Sequence, residues 1–154
     1  LQEVQDRAGH DPLTKNSQIQ VEVDSSLTVE ADGPLLRRAL FNLIENAAKY
    51  GAPPILLTAQ PSVSRPGVIE IAVTDQGEGI PIADRERVFE PFYRGDKART
   101  PHNRTAGFGL GLTLARRVAE AHGGSIEISS LTTEPGRPQG CRVTLQLPRY
   151  STRV

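Results

Sequence analysis

Three polar residues on one stripe of a helix-patterned segment, Asn42, Asn46 and Lys49, are of a type and spacing that could do chemistry. At positions i, i+4 and i+7 they fall within an arc of about 60°, at roughly 100° per residue. Asparagine competes for backbone hydrogen bonds and is a mediocre helix former, so two of them on one side of "NLIENAAKYG" need a reason. An amide oxygen is a neutral hard ligand suited to Mg²⁺, which keeps several waters and shares its sphere with substrate phosphates. A lysine ammonium is a counter-charge for phosphate. A solvated helix face is the plain alternative, and the stripe alone does not decide between them.

Two glycine-bearing stretches add to it. "DQGEGI", Asp75 to Ile80, follows the strand-like "VIEIAV"; its alternate glycines, Gly77 and Gly79, permit positive φ and close approach of a flat ligand. An acid at a strand end can accept a hydrogen bond from an amino group. "GFGLGL", Gly107 to Leu112, opens a second helical pattern and places backbone amides at a helix N-terminus, where phosphate is stabilised. Ordinary glycine turns would look the same. The second stretch lacks the lysine of a P-loop and is not followed by a strand with a ribose-binding acid, so neither of those nucleotide motifs fits.

The elements that must hold these residues can be read from periodicity. Leu36, Leu40, Leu43 and Ala47 recur at helical spacing from Pro34 until Gly51, beside the Asn stripe, so the stripe borders the core. "ILLTAQ" and "VIEIAVTD" read as strands joined antiparallel through the loop "PSVSRPG". "IQVEV" and "LTVEAD" alternate and are expected to pair as a hairpin across Asp24 to Ser26. "IADRERVF" predicts a short helix, Leu110 to Ala121 a long one ending at "HGG", and "SIEISS" and "CRVTLQL" two last strands. From Arg94 to Gly107 no apolar period survives, which predicts a long functional loop. About three helices and five to six strands, not strictly alternating, predict an α+β fold with the helices packed on one face of the sheet.

Composition narrows the function classes. Formal net charge is zero, so nothing in the charge balance points to nucleic acid or an anionic membrane. The single cysteine, Cys141, permits no disulfide within the chain and reads as a strand residue. No apolar run approaches a membrane span and the start has no signal-peptide zones, which predicts a soluble, cytoplasmic domain. The chain contains no methionine, even at its start, and is expected to be a piece of a longer protein. Residues 1–16 read as the end of a preceding helix and a linker, 17–150 as one domain, and 151–154 as a tail.

Taken in order, the Asn stripe, "DQGEG", "FEPFYR", the long loop and "GFGLGL" resemble the ATP-binding catalytic domain of sensor histidine kinases. That family lies within the superfamily of DNA gyrase, the ninety-kilodalton heat-shock chaperones and the mismatch-repair ATPases. The resemblance covers about Asp32 to Pro148. It implies a two-layer α/β sandwich of the Bergerat type, with a mixed sheet of about five strands and three helices on one face. It also implies ATP and Mg²⁺, with Asn46 on the metal, Asn42 supporting metal and phosphate, Lys49 reaching a phosphate and Tyr50 against the adenine. Asp75 would accept from the exocyclic amine, and Gly77, Gly79 and Ile80 would line the base pocket. Phe89 and Phe92 would anchor one end of a lid, Arg94 would approach the terminal phosphate, and Gly107, Leu110, Gly109, Gly111 and Leu112 would form the second glycine box.

Position 42 separates the chain from its hydrolytic relatives, which carry a glutamate there as general base; Asn42 cannot take a proton. Phosphoryl transfer to a positioned acceptor is therefore implied, with Glu45 either polarising that acceptor or lying on the surface. The family's acid-flanked acceptor histidine is absent, since His10, His102 and His122 all read as structural or solvated. The resemblance thus implies a partner, the histidine-containing dimerisation domain of the same parent, then a cognate response regulator, and no nucleic acid. It implies a monomeric fragment of a homodimeric parent in the inner membrane. A serine kinase of the anti-sigma-factor type and a nucleotide-sensing module without transfer are the alternatives.

Overall fold

The computed structural model describes residues 1–93, 110–132 and 140–151. Along the chain run α1 (Gln2–His10), β1 (Ile19–Val23), α2 (Gly33–Tyr50), β2 (Ile55–Pro61), β3 (Val68–Asp75), α3 (Gly111–Ala121), β4 (Ser125–Ser129) and β5 (Cys141–Pro148). The strands form one mixed sheet in the order β1-β2-β3-β5-β4. Three helices pack against it around a single core, the two-layer arrangement expected.

Alternation decides which side chains meet the helices. Ile55, Leu57 and Ala59 of β2, Ile69, Ile71 and Val73 of β3, and Leu145 and Leu147 of β5 all belong to that core. Asp75 and Cys141 continue the same inward rows at the end of the sheet and are paired with each other. The carboxylate is therefore carried in by strand geometry.

Helix α2 starts where Asp32 accepts from the Leu35 N–H at 2.9 Å and proline follows within the first turn. Its apolar side, with Leu40, Leu43 and Ile44 at 1% exposure or less, contributes about 1.5–3 kcal/mol per side chain. Helix α3 is pinned at its end by His122. The Asp32 N–H donates to Nε2 at 2.9 Å, which leaves Nδ1 as the protonated nitrogen, donating to the Val118 carbonyl at 2.6 Å. One imidazole thus joins the end of α3 to the start of α2.

Helix α1 lies on α2. Val4 and Ala8 enter the core, the Arg7 guanidinium sits 4.4 Å over the Phe41 ring, and the buried Thr14 hydroxyl donates to the Ala8 carbonyl at 2.5 Å. The Glu3–Arg37 pair at 3.3 Å is exposed and adds little.

Two expectations are corrected. β1 does not form a hairpin with the segment after it but pairs in parallel with β2, Ile19 opposite Ile55 and Val21 opposite Leu57. The Asp24 turn carries the chain away, and Val29 makes only an isolated bridge to Arg149. The apolar row of β2 offers Ile19, Val21 and Val23 an in-register partner on the core side, which a two-stranded hairpin could not. The stretch 82–89 is two 3-10 turns, Ile82–Asp84 and Arg87–Phe89, instead of a helix. Confined between Pro81 and Pro91, with Phe89 alone buried, it is too short to repay helix nucleation. The third helix is therefore α1. The long loop expected from Arg94 to Gly107 lies outside the described residues.

Candidate functional site

The C-terminal half of α2 runs past the start of α3 near Asn42 and Asn46 and past the end of β3 near Gly51, and we take the surface between these two contacts as the candidate groove. A side chain built at Gly111, the first residue of α3, would lie 3.6 Å from Asn42 Cβ and 3.6 Å from Asn46 Nδ2. The Asn stripe therefore faces the N-terminus of α3. Its N-cap residue, Leu110, has no side chain able to cap, so among the described residues no side chain caps the first-turn amides. Asn42, Asn46, Glu45 and Lys49 are half-buried. None of these side chains has a hydrogen-bond or ion-pair partner among the described residues. Asn42 and Glu45 also line a cleft of about 730 Å³ between α1 and α2, with Arg38 beside them on α2 and Arg7 across it on α1.

The other end of the groove is built differently. Asp75 is 6% exposed. Its Oδ1 accepts from the Gly77 N–H at 2.8 Å. Burial pushes the carboxyl above its ordinary value, against the opposing pull of the Gly77 and Ala52 amides. A Cβ at Gly51 would stand 2.3 Å from Asp75 Cγ, and one at Gly77 would stand 2.7 Å from Gly51 Cα. Helix end, acid and loop are pressed together so closely that only glycine fits at both places. Gly77 is thus required by packing, whereas Gly79 has the positive φ of 79° that its place in the sequence predicted. Cys141, beside Asp75, has its thiol pushed up to about 12 by burial and by that carboxylate.

Asn42 and Gly51 are nine residues apart on one helix, about 14 Å along its axis, so the open polar stripe and the buried acid mark two ends of one groove. Of the two apolar residues expected around the base, Tyr50 is exposed and Ile80 half-buried. Leu112 turns partly toward the core. Phe89 is buried, with its carbonyl accepting from the Thr113 hydroxyl at 2.8 Å and Arg116 5.1 Å over its ring. Phe92, expected as a second anchor, is 70% exposed with a φ of 63°, whereas Thr113 and Arg116 contact Phe89. Arg94, Gly107 and Gly109 lie outside the described residues. In the sequence Gly51 reads only as a helix stop, and nothing local marks its approach to Asp75 or singles out Ala52 and Arg85.

The donor set can be tested against Mg²⁺ and a nucleotide. Among the described residues no group of three His, Cys, Asp or Glu could cage a metal. An ion held by one amide oxygen, phosphates and waters needs no such cage, and the partnerless Asn46 amide facing open helix amides fits that requirement. Among the described residues no helix is long and apolar enough to cross a membrane.

Comparison with known proteins agrees with this geometry. Residues 31–151 match the family model "Histidine kinase-, DNA gyrase B-, and HSP90-like ATPase". The chain is 45% identical over 141 residues to the sensor-like histidine kinase SenX3 of Mycobacterium tuberculosis, covering 90% of this chain and 32% of that protein. It is 41% identical over 121 residues to the sensor histidine kinase YkoH of Bacillus subtilis, covering 79% of this chain and 24% of that protein. The chain thus spans about a third or less of these relatives' length. Among solved structures, the mycobacterial sensor histidine kinase MprB superimposes with a TM-score of 0.74 at 33% identity, covering 98% of this chain and 97% of that one. The histidine kinase domain of the E. coli osmosensor EnvZ gives 0.65 at 30% identity, covering 99% and 86%. The chain belongs to the histidine kinase-, DNA gyrase B- and HSP90-like ATPase family, as an ATP-binding catalytic module of the sensor histidine kinase kind.

Proposed function

We propose that this module holds Mg·ATP along the groove and transfers its γ-phosphoryl group to a histidine on a separate dimerisation domain of its parent, for relay to a response regulator. The observation that carries the reading is that Asn42 and Asn46, without partners among the described residues, face the start of α3, with Lys49 one turn further along α2. Adenine belongs at the buried end, with its exocyclic amine donating to Asp75 and with Gly77, Gly79, Ile80 and Tyr50 around it. The triphosphate belongs at the open end, against the amides of Gly111 and Leu112 and the Lys49 ammonium. Asn46 would hold Mg²⁺, which neutralises charge on the phosphate oxygens when bound. In the transfer an imidazole nitrogen bonds to the γ-phosphorus as the bridging P–O bond breaks and ADP leaves.

Asn42 can orient but cannot deprotonate water, which favours transfer over hydrolysis. Glu45, which lines the cleft with Asn42, would accept a hydrogen bond from the acceptor imidazole. We further propose that the module works in the cytoplasm, where ATP is available, below a homodimeric parent in the inner membrane.

The test is incubation with γ-labelled Mg·ATP, alone and with the parent's dimerisation domain. The chain alone is expected to bind nucleotide and to accumulate neither label nor free phosphate. With the acceptor present, acid-labile and alkali-stable label should appear on the partner, because orientation alone is worth several kcal/mol. Label on the chain itself, or fast phosphate release without acceptor, would overturn the proposal.

A further inference from the structure

The loop carrying the base-facing residues is fastened differently at its two ends. Near the sheet, the Gln76 N–H donates to the Ala52 carbonyl at 2.9 Å and the Gly140 N–H to the Gly77 carbonyl at 2.6 Å. Beyond Gly79 the chain has left the sheet, and there the Ile80 carbonyl accepts from Arg85 Nε at 3.2 Å. The same guanidinium donates through Nη2 to the Ser130 hydroxyl oxygen at 2.6 Å. Ser130 follows the last residue of β4, so one side chain spans from the loop to the other edge of the sheet. Arg85 is half-buried, and no carboxylate pairs with it among the described residues. A fixed fork of donors directed at two neutral oxygens sets geometry where an ion pair would neutralise charge.

We infer that Arg85 is a positioning residue for nucleotide binding: by joining Ile80 to Ser130 it holds Gly79 and Ile80 in place beside Asp75. The inference rests on Asp75 to Ile80 being the base-facing wall proposed above. Lysine is no substitute, because a single ammonium lacks the fork that reaches both oxygens.

Calorimetric titration of the folded chain with Mg·ATP and Mg·ADP tests it. Arg85→Ala should weaken both nucleotides by the same factor, about tenfold, since they share the base. Ser130→Ala should weaken them about threefold, and the double variant should bind no worse than Arg85→Ala, because both changes break one bridge. Arg85→Lys should stay about fivefold or more weaker than the parent chain. An Arg85→Ala or Arg85→Lys variant that binds within about twofold of the parent, or additive losses in the double variant, overturns the inference. If Arg85→Ala does not fold by circular dichroism, Arg85→Lys and Ser130→Ala decide by the same criteria. Asp75→Asn separates the two readings. If it abolishes binding while the Arg85 variants bind normally, the bridge alone fails; if it too leaves binding intact, the base-wall reading falls.

Discussion

The two ends of the groove contrast in how much of their polar capacity is already used. At the Asp75 end, the Gly77 amide, the Gly140 amide and the Arg85 fork are all engaged, and Gly51 is packed against the carboxylate. At the Asn46 end, amide side chains, an ammonium and the first amides of α3 face one another without partners among the described residues. One end is finished before any ligand arrives. The other keeps its polar groups free among the described residues, which is the arrangement the proposed binding of a base at one end and of metal and phosphates at the other would need.

The largest effect is expected from Asp75→Asn, which places a donor where one must accept. Mg·ATP affinity should fall by about 3 kcal/mol, roughly a hundredfold, and the normal preference for ATP over GTP, about 2 kcal/mol, should vanish. The unliganded fold should respond the other way. Burial raises this carboxyl above 3.8 in the fold, so the folded chain holds the proton more tightly than the unfolded one. Its contribution then falls as pH rises from 3.8 through the raised folded value, and at pH 7 ionised Asp75 weakens the fold. Asp75→Asn should therefore raise Tm at pH 7, with the gain shrinking in acid. A lowered Tm, or equal ATP and GTP affinity in the parent chain, would remove the finished end from the comparison.

The same substitution at both ends sharpens the contrast. Gly51→Ala drives a methyl to 2.3 Å from Asp75 Cγ and 2.6 Å from the Ala47 carbonyl, and should cost about 2–3 kcal/mol in urea unfolding. Gly111→Ala meets only ordinary contacts at 3.6 Å. Its stability should stay within about 1 kcal/mol, while Mg·ATP binding weakens as the methyl enters the open space. Equal stability losses at the two sites would erase the distinction.

Smaller still, Asn46→Ala should weaken nucleotide binding about tenfold in Mg²⁺ and within about twofold in EDTA. Equal losses in both would make Asn46 a packing residue. Cys141 needs no substitution and reports on the Asp75 end through its reactivity. With its thiol pushed up to about 12, alkylation of the folded chain at pH 8 should run about a thousandfold slower than for a free thiol. Rapid labelling would show that the Asp75 end is open.

Period and punctuation made the frame of α2 legible: Leu36, Leu40, Leu43 and Ala47 mark its buried side, and Asp32 and Gly51 mark its ends. Strand alternation through Ile69, Ile71 and Val73 likewise tells that Asp75 points inward. It does not tell which neighbour a strand takes. β1 therefore looked like half of a hairpin, although its apolar row found β2. Arg85 sits in the charged run "DRER", where nothing local separates a bridging guanidinium from a solvated one. Phe92 shows the reverse failure, since an aromatic residue near a buried phenylalanine reads as core until neighbours are seen to hold only one of them.

The imidazole of His122 makes α3 a lever. It fastens the helix to Asp32 at one end, while the opposite end, at Gly111, carries the open amides that face Asn42 and Asn46. Eleven residues give an arm of about 16 Å. A tilt of about 5° about that pivot would therefore carry Gly111 roughly 1.4 Å, half the length of a hydrogen bond. A push close to that pivot would be magnified at Gly111, against the hold of the Thr113 hydroxyl on the Phe89 carbonyl, while the Asp75 end lies off the arm.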